Sequence, residues 1–80
     1  MRRGEVEGLA RSIAAEICRD LGLELVECTY RRSGRQWRLV VKVDRATGVS
    51  VNDCTLVHKA LGEQLDAIDP IEHAYTLEVS

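Results

Sequence analysis

Val6, Leu9, Ala10, Ile13, Ile17 and Leu21 recur at three- and four-residue steps near the start of the chain. That spacing gathers them on one stripe of a helix, and a stripe of this kind has to be buried against another element. Glu7, Arg11, Ala15 and Arg19 fall on the far side. Glu5 and Glu7 in the first turn complement the helix macrodipole. Gly22 stands where a left-handed residue ends a helix. The spacing therefore predicts a helix from Gly4 to Leu21. The chain has 80 residues, and a domain so short hides only about 60% of the surface of its unfolded form. All its apolar stripes must share one thin core.

Two alternating segments come next. Val26, Cys28 and Tyr30 share one face of the first, and Trp37, Leu39, Val41 and Val43 one face of the second. Ser33-Gly34 between them is a turn signal, so a hairpin is predicted. With those two residues as the loop, Arg32 meets Arg35, Tyr30 meets Trp37, Cys28 meets Leu39 and Val26 meets Val41. Apolar residues then face apolar partners throughout, and a one-residue slip would destroy the match. Residues 44–48 read as a loop. Ser50 and Asp53 resemble a capping box, opening a second helix whose stripe is Cys54, Val57, His58, Leu61 and Leu65. Pro70 ends the helical region. Tyr75, Leu77 and Val79 then alternate with Thr76 and Glu78 in a third strand.

The order is α-β-β-α-β. Two amphipathic helices and one apolar sheet face imply an α+β, two-layer sandwich: a three-stranded sheet with two helices on one face. The second strand, second helix and third strand form a crossover, expected to be right-handed with its strands running parallel. With the first strand placed between them every neighbouring pair is antiparallel, and that is the expected order.

Charge is unevenly distributed. Residues 31–45 hold six basic side chains against Asp44 alone, whereas residues 46–80 hold Lys59 against six acidic ones. The candidate binding site is the basic hairpin. Arg31, Arg32 and Arg35 cluster at the turn, and Arg38 and Lys42 project from the second strand away from the helices. Guanidinium groups pair bidentately with phosphate, and RNA binders combine them with aromatic stacking. The plain structural alternative is that turns and outward strand positions are often charged. By its parity with Leu39 and Val41, Trp37 reads as core at the end of the sheet. The acidic residues Glu63, Asp66, Asp69 and Glu72 read as a solvated helix face and loop, or as a surface for a basic protein partner.

Catalytic and metal chemistry find little support. Cys18, Cys28 and Cys54 are odd in number and form no CxxC pair, which argues for reduced core thiols and against a disulfide framework. Cys54 and His58 share a helix face, with Cys18, Cys28 and His73 imaginable nearby. Structural zinc wants four ligands, often in close pairs, and these are scattered along apolar stripes. A thiolate–imidazolium pair of Cys54 and His58 is disfavoured because the stripe is buried. No catalytic residue, metal or cofactor is expected. No apolar run is long enough to span a membrane, and no secretory signal is visible at the start.

With the elements placed, a resemblance emerges. It is carried by Leu21-Gly22-Leu23-Glu24-Leu25-Val26, Trp37-Arg38-Leu39-Val40-Val41-Lys42-Val43-Asp44 and Gly48-Val49-Ser50-Val51-Asn52-Asp53-Cys54. Leu65-Asp66 and Ala74-Tyr75-Thr76-Leu77-Glu78-Val79-Ser80 complete it. Over essentially the whole chain these segments resemble the N-terminal domain of the ribosome maturation factor RimP family. The resemblance implies a cytoplasmic domain that binds the free small (30S) ribosomal subunit late in its maturation, through rRNA, a ribosomal protein or both. It also implies a C-terminal β-barrel domain that is absent from this chain, and it brings no catalytic motif. The expected state is a monomer with no membrane partner. The alternative is a protein-interaction module that takes a basic ribosomal protein on its acidic half or an open sheet edge, without direct RNA contact. The element order is also similar to one class of KH-type RNA-binding domains, but the GxxG loop with which those clamp a nucleic-acid backbone is missing.

Overall fold

A computed structural model describes residues 2–68, 71 and 73–80. The chain runs α1 (Arg3–Asp20), β1 (Glu24–Ser33), β2 (Gln36–Asp44), α2 (Val51–Ile68) and β3 (Tyr75–Val79). This is the expected α-β-β-α-β order in an α+β fold. Leu23 N–H donates to Cys18 O at 2.7 Å and Gly22 N–H to Arg19 O at 3.2 Å, the paired bonds that close a helix through a left-handed residue. Gly22 supplies that residue with φ 72°.

The start of α2 is reciprocally capped. Ser50 N–H donates to Asp53 Oδ2 at 2.9 Å, and Asp53 N–H donates to Ser50 Oγ at 3.1 Å. Arg45 binds both helices: its Nη2 donates to Leu21 O at 2.6 Å and lies 3.3 Å from Asp53 Oδ1. It thus ties the end of α1 to the start of α2. The Ser50 N–H, with the Ser50 hydroxyl and Arg45 adding to it, holds the Asp53 carboxyl below the usual carboxylate range against the opposing effect of burial. A lowered folded pKa means the unfolded chain binds the extra proton. This contribution to stability is present above the unfolded value of about 3.9 and is lost as pH falls through the folded one. Asp53→Asn is expected to lower the thermal midpoint at neutral pH and to shrink the further drop between about pH 5 and pH 2. Melting curves across that range, followed by circular dichroism, check both effects.

The sheet order is β1-β2-β3, so β2 lies in the centre, not β1 as expected. β1 and β2 are antiparallel, and β2 and β3 are parallel as the crossover predicts. The reason lies at the outer edge of β1. Glu7 Oε2 accepts the Tyr30 N–H at 2.9 Å, and Arg11 Nη2 donates to Cys28 O at 2.9 Å. Side chains of α1 satisfy backbone groups that a neighbouring strand would otherwise have taken, and the edge is thereby blocked.

The hairpin register also differs. Ser33 pairs with Gln36, Tyr30 with Leu39 and Cys28 with Val41, so the loop is Gly34-Arg35 and the ladder is displaced by two residues. Two-residue hairpin turns of both favoured types need φ > 0 at their first central position. Gly34 meets this need with φ 62°. A two-residue displacement preserves parity, so Cys28, Tyr30, Leu39 and Val41 still face the helices. Val26 does not. The register shifts between Leu25 and Glu27, leaving Val26 at 59% exposure while Leu25 packs on the core.

One core results. Val6, Ala10, Ile13 and Ile17 of α1 and Val57, Leu61 and Leu65 of α2 close over the inward sheet residues. α1 lies mainly on β1, α2 on β3, and the helices touch each other. His58, read from the sequence onto the apolar stripe, is exposed; half-buried Cys54 and Ala60 flank the buried line instead.

Candidate nucleic-acid interface

The hairpin carries the arginines to one end of the sheet. Arg31, Arg32 and Arg35 are all exposed. Arg32 Nε donates to Gly34 O at 2.9 Å, a bond that steadies its side chain across the turn and uses one of its five donors. Among the described residues, no carboxylate lies within ion-pair distance of Arg31, Arg32 or Arg35.

Arg38 and Lys42 are placed differently. Both stand on the sheet face turned away from the helices, and both are already paired. Arg38 Nη1 lies 3.2 Å from Glu78 Oε1 on β3, and Lys42 Nζ lies 3.3 Å from Glu27 Oε2 on β1. Exposed pairs of this sort hold weakly and exchange with solvent ions. They nevertheless cancel the local field that the sequence alone assigns to these two cations. Arg45, which contributes to the basic count of the segment, is withdrawn into the clamp between the helices.

Three aromatic rings share the arginine end of the sheet. Trp37 stacks on Tyr30 with centroids 4.9 Å apart and an interplanar angle of 19°. His73 stacks on the indole at 5.1 Å and 5°. Trp37 is half-buried, so its assignment to the end of the core is right for only part of the ring. Tyr30 is buried, and its hydroxyl has no hydrogen-bond partner among the described residues. Burial, with the Tyr75 phenol adding to it, raises its pKa. His73 was not legible as part of this cluster. Only the pairing of Trp37 with Tyr75 on neighbouring β2 and β3 brings it there.

Of the four acidic candidates, two lie among the described residues. Glu63 and Asp66 are exposed on α2. Asp69 and Glu72 lie outside the described residues. Burial, opposed by Arg11 and reinforced by Glu7, pushes the Cys28 thiol up to about 11, and burial also raises that of Cys18. Both therefore stay protonated at neutral pH. The described residues hold no group of three or more His, Cys, Asp or Glu placed to bind a metal ion. No helix among them is long and apolar enough to cross a membrane.

An α-β-β-α-β sandwich with arginines at its hairpin tip and no GxxG loop narrows the choice of family, and comparison with known families decides it. Residues 13–80 match the family model of the RimP N-terminal domain. The chain belongs to the RimP family. The match runs from Ile13 in the middle of α1 through β3, so it spans the hairpin, the capping box and the parallel β2–β3 pair. RimP proteins are ribosome maturation factors, and this chain carries the N-terminal domain of that family.

Proposed function

We propose that this RimP-type domain binds the free small ribosomal subunit during its late maturation, meeting rRNA through Arg31, Arg32 and Arg35. One observation supports this above the rest. These guanidiniums are exposed at the hairpin tip with no carboxylate partner among the described residues, while Arg38 and Lys42 are paired. Phosphate oxygens offer them bidentate, charge-assisted bonds that no carboxylate among the described residues supplies. In this reading the domain is a cytoplasmic, monomeric binding module that works by association and holds no reacting group. Arg38 and Lys42 form a secondary zone, recruited by exchanging Glu78 and Glu27 for phosphate.

Sedimentation with purified free small subunits, run beside assembled ribosomes, tests the reading. Binding is expected with the free subunits and to fall about 30-fold between about 50 and 200 mM salt, the loss due to roughly three neutralised phosphates. Salt-insensitive binding that survives nuclease treatment would overturn the rRNA contact. It would favour a second reading, in which a basic ribosomal protein adds a strand to β3. Ser80 exchanges hydrogen bonds with Val41 and Val43. By the alternation of a parallel ladder, Tyr75, Leu77 and Val79 turn their backbone groups outward. Glu63 and Asp66 on α2 would supply the complementary charge.

A further inference from the structure

The three-ring column runs from the core to the surface. Tyr30, at 2% exposure, anchors its inner end. Trp37 is half-buried in the middle, and His73 is exposed at the outer end. Each inner ring face is occupied at 4.9 and 5.1 Å. The imidazole lies within 5° of the indole plane, so it is held as a flat platform. No further ring stacks on it among the described residues. An aromatic surface held in this way needs no ordering when another flat ring is added to it.

A groove of about 250 Å³ opens beside the same indole, lined by Arg35, Gln36, Trp37, Ala74, Tyr75 and Thr76. Its polar groups are a guanidinium, an amide, a phenol and a hydroxyl, all able to donate to phosphate or ribose oxygens. The backbone ladder fixes the arrangement, because Arg32 faces Trp37 on one side and Tyr75 faces it on the other. The stacking surface and a cation with no carboxylate partner among the described residues thus stand at one end of one sheet.

We propose that the outer face of His73 is a stacking site for an unpaired RNA base, with Arg35 in the adjoining groove holding the neighbouring phosphate. This rests on the rRNA reading above and narrows it to single-stranded nucleotides. Bases inside a duplex already have both faces covered, whereas loops and bulges can splay a base onto a protein ring. Stacking of this kind accepts any base, since every base has a π-face. The hairpin arginines supply the salt-dependent part of binding, and the column supplies a part that is insensitive to salt.

Trp37 is the single tryptophan of the chain, so its fluorescence reports on the column directly. The probe is a single-stranded adenosine decamer, titrated with anisotropy and Trp37 emission read together, beside an RNA duplex of equal length. Quenching is expected with the decamer and not with the duplex. His73→Ala should weaken decamer binding about tenfold without changing its salt dependence, and His73→Phe should restore it. Arg35→Gln should instead lower the salt slope by about 1. Unaltered decamer affinity in His73→Ala, or a His73→Phe variant as weak as the alanine one, overturns the stacking site. If the native chain sediments with subunits but ignores the decamer, the stacking site falls and the subunit reading stands. If it does neither, both fall.

Discussion

Leu39→Ala is expected to lower the unfolding free energy by about 3 kcal/mol, within the range of about 2–5 kcal/mol seen for buried leucines. Leu39 has no exposed surface and occupies the centre of the middle strand. Tyr30 faces it across β1, Leu77 faces it across β3, and both helices close over that layer. The cavity has rigid neighbours on two strands and cannot collapse easily, which keeps the loss above the lower end of the range. Domains carry roughly 0.05–0.15 kcal/mol of stability per residue, so a chain this short has little to spare. Urea titration should show the midpoint falling by about 2 M or more. Val26→Ala is the matched control. Were the ladder the one expected from apolar pairing, Val26 would face Val41 inside the core and its loss would be felt. At 59% exposure it should change stability by no more than about 0.5 kcal/mol. Comparable losses in the two variants would contradict the bulge at Leu25/Glu27.

Reversing Arg31, Arg32 and Arg35 together to Glu should reduce affinity for free small subunits by about 100-fold or more. Each lost phosphate contact removes on the order of 1 kcal/mol, and 1.4 kcal/mol is a factor of ten. The reversed charges add repulsion. All three side chains are exposed, so the unfolding midpoint should move little. Reversing Arg38 and Lys42 should weaken binding less, because their charge is already balanced by Glu78 and Glu27. Arg45→Glu should behave in the opposite way. It breaks the links to Leu21 O and Asp53 and should therefore destabilise the fold, although its charge lies in the same basic segment. Quantitative sedimentation and denaturant titration separate the two kinds of arginine. A triple variant that binds subunits as the native chain does would remove the hairpin tip from the interface.

Local periodicity made much of this fold legible. The α1 stripe, the capping pair Ser50/Asp53, the Gly22 helix end and the alternation of β2 and β3 are each properties of a few adjacent residues, and adjacent residues carry them wherever the segment lies. Parity from Cys28 to Val41 survived for the same reason, and it broke only at the Leu25/Glu27 bulge, where Val26 turns outward. Register did not survive, because a displacement of two still sets Tyr30 against Leu39 and Cys28 against Val41. The choice was made by Gly34, whose positive φ fits the first position of the turn.

The amino-acid sequence by itself determined five elements, most of their inward faces apart from Val26 and His58, the capped helix ends and a cluster of arginines around one turn. Tertiary structure alone decided that β2 is central, because α1 side chains occupy the edge of β1. It also decided that Arg38, Lys42 and Arg45 are paired with carboxylates while, among the described residues, Arg31, Arg32 and Arg35 are not, and that His73 completes a column with Trp37. These distinctions rest on contacts between residues far apart in the chain, such as Arg38 with Glu78 and Arg45 with Leu21. A side chain's charge is written in its own residue, but whether that charge is spent depends on which distant groups the fold brings within about 4 Å.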